Sequence, residues 1–276
     1  MNNEKLKKLF FSTVEKIAKK HNISENELHS KITPENVFQK AITFYRDEFD
    51  EEFTKFAVKG DSKIIGTENI KKFHDFALQG KTCLILARHV GNFDVPNLYH
   101  LMKNQNLLDI FNDIVFIAGR KLNEEYDLIR LLTIMFPRIV IIPKGEDAEQ
   151  AKSINLAAWR ELQKIKKQSK MILLYPTGTR EREWDPNSFK GIRETYNYVK
   201  SFDHIIFLNV QGNTLIPSPE TMINDKFVND TIIFTFSQVH ETKSLLDRII
   251  NENKNKKTND TKQFVADKLV DIIRSL

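Results

Sequence analysis

Apolar positions recur at two different periods along this chain, and the change of period divides it. In the first sixty or so residues the spacing is helical: Leu6, Leu9, Phe10, Thr13, Val14 and Ile17 fall on one face of a helix. Ser24-Glu25-Asn26-Glu27 has the form of a capping box and predicts a short helix start. Thr33-Pro34 reads as a cap with proline in the first turn of a third helix, carried by Phe38, Ala41, Ile42, Tyr45, Phe49 and Phe56. A helical bundle over residues 1–62 is the expectation.

Beyond Gly60-Asp61-Ser62, short apolar runs alternate with helical patterns. The strand candidates are Thr82–Ala87, Ile114–Ala118, Ile139–Ile142, Met171–Tyr175, Ile205–Val210 and Ile232–Phe236, and a helix is expected from Asp147 to Lys167. Runs that are apolar at every position suit strands buried on both faces, as in a parallel sheet between helical layers. Residues 63–276 therefore predict an α/β domain with a mixed, largely parallel sheet flanked by helices. The polar stretch Asn251 to Asp260, with Lys254-Asn255-Lys256-Lys257 read as a solvated linker, is followed by a tail helix with Phe264, Val265, Leu269, Ile272, Ile273 and Leu276.

Composition narrows the class. With 41% hydrophobic residues and only 9 Gly and 8 Pro in 276 positions, the chain is neither fibrous nor disordered. The balance of 42 basic against 37 acidic residues gives +5, which suits an anionic ligand, an acidic protein or an anionic membrane surface. No stripe is basic enough to suggest nucleic acid; Lys254-Asn255-Lys256-Lys257 comes nearest and reads as a solvated segment. One cysteine, Cys83, sits within an apolar strand and implies a buried thiol in a reducing compartment. The first residues lack the apolar core of a signal peptide, and no run reaches the roughly 18 residues of a spanning helix. The expected location is cytoplasmic, with peripheral contact at a membrane's inner face open.

The candidate chemistry lies where strands end, the usual place for ligands in such sheets. Arg88-His89-Val90-Gly91-Asn92-Phe93-Asp94 follows the first buried strand. Asp94 is placed to take one imidazole N–H and fix the tautomer, leaving His89 as a general base. Gly91 would admit a ligand close to the backbone, and amides at the next helix start would stabilise an oxyanion. A histidine after a strand is more often structural, so the spacing alone is a weak signal.

Pro176-Thr177-Gly178-Thr179-Arg180-Glu181-Arg182 follows another strand. Its arginine forks suit phosphate oxygens, with Gly178 and Thr179 completing an anion nest. The competing reading pairs both arginines with Glu181 and Glu183. Lys144 and Arg120 also stand at strand ends and are candidates for the same ligand. No metal-ligand spacing, phosphate-loop motif or Gly-x-Ser-x-Gly elbow occurs, so neither a metal nor a cofactor is expected.

The order of these turns resembles the glycerolipid acyltransferase family, which carries His-x4-Asp, an arginine-bearing block and a Pro-Glu-Gly-Thr-Arg block. The counterparts are His89 to Asp94, Phe116 to Arg120 and Pro176 to Arg180. The turn with paired arginines is most similar to the Pro-Ser-Gly-Gly-Arg-Asp-Arg block of the soluble, plastid-type glycerol-3-phosphate acyltransferases. Those also have an N-terminal helical bundle and a phosphate-binding lysine where Lys144 stands. Thr177 departs from the glutamate of the membrane-bound branches, and Arg88 from a common asparagine.

The resemblance implies acyl transfer from an acyl carrier protein or coenzyme A thioester to the 1-hydroxyl of glycerol 3-phosphate. His89 and Asp94 would be catalytic, and Lys144, Arg180 and Arg182 would hold the phosphate. Arg120, Gly178 and Thr179 would line the acceptor site. His89-Val-Gly-Asn-Phe-Asp is also similar to the His-x-Gly-Asn-Trp-Glu of lipid A acyltransferases. A lysophosphatidate or lipid A type acceptor therefore stays open, as does a non-enzymatic phosphate-ligand binder.

Overall fold

The computed structural model describes residues 1–22, 31–124, 130, 132–143, 147–220, 224–256 and 260–276. The short helix expected at Ser24-Glu25-Asn26-Glu27 and the candidate Lys144 lie outside them.

The strands are β1 (Phe38–Gln39), β2 (Lys63–Ile65), β3 (Cys83–Ala87), β4 (Ile114–Gly119), β5 (Arg138–Ile141), β6 (Met171–Leu174) and β7 (His204–Gln211), then β8 (Leu215–Ile216), β9 (Lys226–Phe227), β10 (Ile233–Phe236) and β11 (His240–Glu241). Among the described residues, nine of them form one sheet in the order β1-β5-β4-β6-β3-β7-β10-β2, with β11 also on β7; β8 and β9 form a separate ribbon. The middle, β5-β4-β6-β3-β7, is parallel throughout, while β1, β10 and β11 join it antiparallel. The fold is therefore α/β with a mixed, largely parallel sheet.

Both faces of the sheet are covered, which is why β3 is buried at every position of Cys-Leu-Ile-Leu-Ala. Successive side chains alternate between faces. Cys83, Ile85 and Ala87 join one core, with Leu6, Phe10 and Ile17 of α1 (Asn3–Lys20), Tyr45 and Phe49 of α2 (Thr43–Phe49), Ile70 and Phe73 of α3 (Thr67–Leu78), and Leu98 and Met102 of α4 (Asp94–Asn104). The short α5 (Leu108–Asn112) adds Phe111 to that side. Leu84 and Leu86 join the other core, with Ile154, Ala158 and Leu162 of α6 (Ala148–Ile165), Val199 of α7 (Thr195–Val199), Leu245 and Ile249 of α8 (Thr242–Lys256), and Val265, Leu269 and Ile273 of α9 (Thr261–Arg274).

The N-terminal helices are continuous with this core. Phe10 stacks edge-on against Phe93 at 5.8 Å between ring centroids, so the helical layer reaches the turn that carries the candidate dyad. The boundary expected at residue 62 thus crosses one apolar cluster.

Two expectations are corrected. The third helix does not begin at Thr33-Pro34. Thr33 donates its N–H to Asn36 Oδ1 at 2.7 Å in a turn, Phe38–Gln39 pairs with the edge strand β5, and α2 starts only at Thr43. A sheet edge left bare would expose unpaired backbone groups, and covering it overrides the helical spacing of Phe38. The linker expected at Lys254-Asn255-Lys256-Lys257 is helical as far as Lys256, where α8 ends, and Lys257 lies outside the described residues.

Candidate active site

β3 and β6 lie side by side in parallel, with Leu86 opposite Leu174. Their carboxyl ends therefore release both candidate turns at the same edge. The turns are joined there: Glu181 donates its backbone N–H to the His89 carbonyl at 2.8 Å. Glu181 also accepts from Arg88 Nε at 3.0 Å and Nη2 at 2.7 Å. The reading that paired Glu181 with its flanking arginines is thereby overturned. Successive side chains on an extended segment point opposite ways, so Glu181 turns inward to Arg88 while its neighbours find other partners.

His89 Nδ1 lies 2.9 Å from Asp94 Oδ2. Asp94, the first residue of α4, is itself fixed by the Val90 N–H at 2.9 Å and the Gly91 N–H at 3.0 Å. A carboxylate at the start of a helix also gains from the helix dipole. The Val90 and Gly91 amides are therefore occupied by Asp94. Asp94 is nearly inaccessible, and the His89 side chain keeps 14% exposure. No hydrogen bond to His89 Nε2 occurs among the described residues, which leaves that nitrogen for a ligand. The His89 ring lies almost parallel to Tyr175, with centroids 4.0 Å apart and planes 16° from each other.

Gly91 lines the cavity and also meets a packing need. A Cβ there would stand 2.4 Å from Asn213 Oδ1. Asn213 donates to the Val90 carbonyl at 2.8 Å, so it braces the turn from the far side and excludes any larger residue at 91. Gly178 adopts φ +64°, the left-handed conformation that closes the Tyr175-to-Gly178 turn through a 3.0 Å backbone bond.

His89 opens on a cavity of about 830 Å³ at the carboxyl edge of the sheet. Its walls are mainly apolar, among them Val95, Pro96, Phe116, Leu122, Ile142 and Ile192; Tyr175, Thr177, Gly178 and Glu194 line it as well. A volume near the upper end of ordinary small-molecule sites, with so few polar groups, suits a long apolar ligand.

The cations are arranged less simply. Arg180 is buried and donates through Nη1 to Asp225, whose other oxygen accepts the Ser218 N–H at 2.8 Å. Arg182 is one-third exposed; its Nη2 donates to Thr179 Oγ1 at 3.1 Å, and Asp185 lies 3.9 Å away. Arg120 donates to Gln150 at 3.1 Å and stands 3.7 Å from Glu124. Of the described candidates, His89 and Gly178 line the cavity and Asp94 backs the histidine, whereas Thr179, Arg180, Arg182 and Arg120 are not among the cavity's lining residues and are engaged with partners of their own. Sequence reasoning passed over Tyr175, Asn213 and Arg88. Tyr175 carried a local signal, an aromatic at a strand end; Asn213, on a remote loop, carried none.

Among the described residues no group of three or more His, Cys, Asp or Glu could hold a metal, and no helix is long and apolar enough to cross a membrane. A scan against protein-family models and a search of curated proteins both give no match to this chain. The functional reading therefore stands on the geometry and the motif resemblance alone.

Proposed function

We propose that this protein is an acyltransferase that moves a fatty acyl group from a thioester to the 1-hydroxyl of glycerol 3-phosphate. The observation that carries the reading is a His–Asp dyad whose second ring nitrogen has no hydrogen bond among the described residues, on the wall of a large, mainly apolar cavity. The cavity takes the acyl chain and brings the thioester carbonyl to His89. Nε2 accepts the hydroxyl proton as the oxygen attacks that carbonyl. Asp94 holds the Nδ1–H tautomer and stabilises the imidazolium. The intermediate collapses, the thiolate leaves, and the imidazolium returns its proton to the sulfur. Thiolate is a good leaving group, so placing the two substrates is the main demand. Arg182 and Thr179 receive the phosphate with Lys144, and Arg180 shapes the turn that presents them.

Thiol release from an acyl-carrier-protein or coenzyme A thioester, with and without glycerol 3-phosphate, tests this directly. Wild type should release thiol in an acceptor-dependent way, and His89→Ala should lower the rate by about 10²–10⁴-fold. Near-normal turnover by the variant would reject the assignment.

A second reading is favoured by one observation: Arg180 and Arg120 are already engaged with side chains of the protein, while the cavity beside His89 has mainly apolar walls. An acceptor of the lysophosphatidate or lipid A type would rely more on the apolar cavity. Preference for acceptors of increasing chain length would select this alternative.

A further inference from the structure

We propose that Tyr175 is a positioning residue whose ring is the flat wall that holds the His89 imidazole in its working plane. The inference rests on the acyltransferase reading only for its kinetic consequences. Its geometric basis is independent: near-parallel rings, 4.0 Å between centroids and 16° between planes, with both residues lining the same cavity.

A single hydrogen bond does not fix an imidazole. With Nδ1 tied to Asp94 at 2.9 Å, that contact alone would still let the ring rock and shift Nε2 within the cavity. The side chain's second torsion is broad and supplies little restraint of its own. A second ring laid against the first removes the rocking, because aromatic faces attract in an offset stack and repel overlap beyond it. Tyr175 is well placed for this. It is the residue after β6, in register beside the end of β3, and its own backbone is locked by the Gly178 N–H on its carbonyl at 3.0 Å. The phenol is kept neutral: burial, and next the nearby Asp94 carboxylate, push it well above the usual tyrosine range. Among the described residues, the other charged groups beside this turn and on the wall of the same cavity include the Arg88–Glu181 pair, Glu194, Arg138, Asp147 and Lys152.

The assignment separates ring from hydroxyl. Tyr175→Phe keeps the stack and should retain kcat within about twofold. Tyr175→Leu keeps bulk without a flat face; kcat should fall by about 10–100-fold, the scale of an ångström of misplacement, while KM for acceptor stays within about twofold. A proton NMR signature reports the same geometry without turnover. The downfield His89 Nδ1–H resonance, identified by its loss in His89→Gln, should persist in wild type and Tyr175→Phe and broaden or vanish in Tyr175→Leu. Should Tyr175→Leu fail to fold, Tyr175→Met carries the same comparison.

The proposal is overturned if the leucine variant keeps both wild-type kcat and the resonance. It is equally overturned if Tyr175→Phe is as impaired as Tyr175→Leu, because the hydroxyl would then be the working group. If wild type shows no acyl transfer at all, the acyltransferase reading falls while the NMR comparison still decides whether the stack orients the ring.

Discussion

The Glu181 carboxylate meets the Arg88 guanidinium at 2.7 Å, and the backbone N–H of the same glutamate donates to the carbonyl of the residue after that arginine. Two turns that the chain makes far apart are thereby fastened at adjacent positions. The pair is asymmetric. Glu181 is almost fully buried, its second oxygen has no hydrogen-bond partner, and Arg274 Nε comes only within 3.7 Å; Arg88 retains a quarter of its side-chain exposure. Removing the arginine takes both hydrogen bonds from a nearly buried carboxylate and leaves it only the more distant Arg274, at a cost of about 1.5–3 kcal/mol, whereas Glu181→Gln leaves a partly solvated guanidinium and a neutral acceptor. Urea denaturation should therefore place Arg88→Ala well below Glu181→Gln in stability, and the double variant should regain part of the Arg88→Ala loss. Equal losses from the two single changes would refute this account of the pair.

Arg180 and Arg182 stand two positions apart and should behave in opposite ways. Arg180 is buried against Asp225, which is also nearly inaccessible, so Arg180→Ala leaves an uncompensated charge and should cost about 3–5 kcal/mol. Arg182 is one-third exposed and bonded to a hydroxyl, so Arg182→Ala should change stability by about 0.5 kcal/mol or less. On the proposed function, Arg182→Ala should instead raise KM for a phosphorylated acceptor by about tenfold, a typical loss for one charge-assisted contact. Thermal denaturation and initial-rate kinetics on both variants separate the roles. An Arg180→Ala protein as stable as wild type would contradict the buried pair.

What could be read from the sequence divides by range of interaction. Strands β3, β4, β5, β6 and β7 were legible because covering both sheet faces demands continuous apolar runs, and each run is local; β10 was legible from its Ile and Phe residues although its burial alternates. The two-residue strands β1, β8, β9 and β11 are too short to carry a pattern. Phe38 even fits the helical spacing of Ala41, Ile42 and Tyr45, and only its pairing with Ile139 decides otherwise. The His89–Asp94 contact was legible because five residues span one turn into a helix. Asn213 behind Gly91, Asp225 beside Arg180 and Arg88 beside Glu181 are partners across long chain separations, and no local period announces them.

Cys83 should be chemically silent in the native protein. It is fully buried in β3 with its sulfur 3.6 Å from the Phe73 carbonyl, and burial, aided by Asp203, pushes the thiol up to about 12. Only the thiolate reacts with disulfide reagents. A chromogenic disulfide reagent at pH 8 should label no thiol in the folded protein within minutes and one per chain in denaturant. Fast labelling of the native state would show that β3 opens or that the strand is not central.

The far end of the same strand supplies a pH-dependent contribution to stability. The Asp203 carboxylate accepts the Thr82 N–H at 2.8 Å and the Thr82 hydroxyl at 2.9 Å, clamping the entry of β3 against β7. The backbone bond from Thr82 is the main cause that holds this carboxyl below the ordinary aspartate value, despite partial burial acting the other way. A depressed carboxyl binds its proton less readily when folded than when unfolded. Its contribution is therefore complete above the unfolded value, near 4, and is lost as pH falls through that value to the lower folded one. Asp203→Asn has no such proton to take up. Its melting temperature should lie a few degrees below wild type at pH 7, and the gap should close steadily as pH falls below about 4. A gap that stays constant over that range would mean that the clamp acts through shape alone and not through the charge on Asp203.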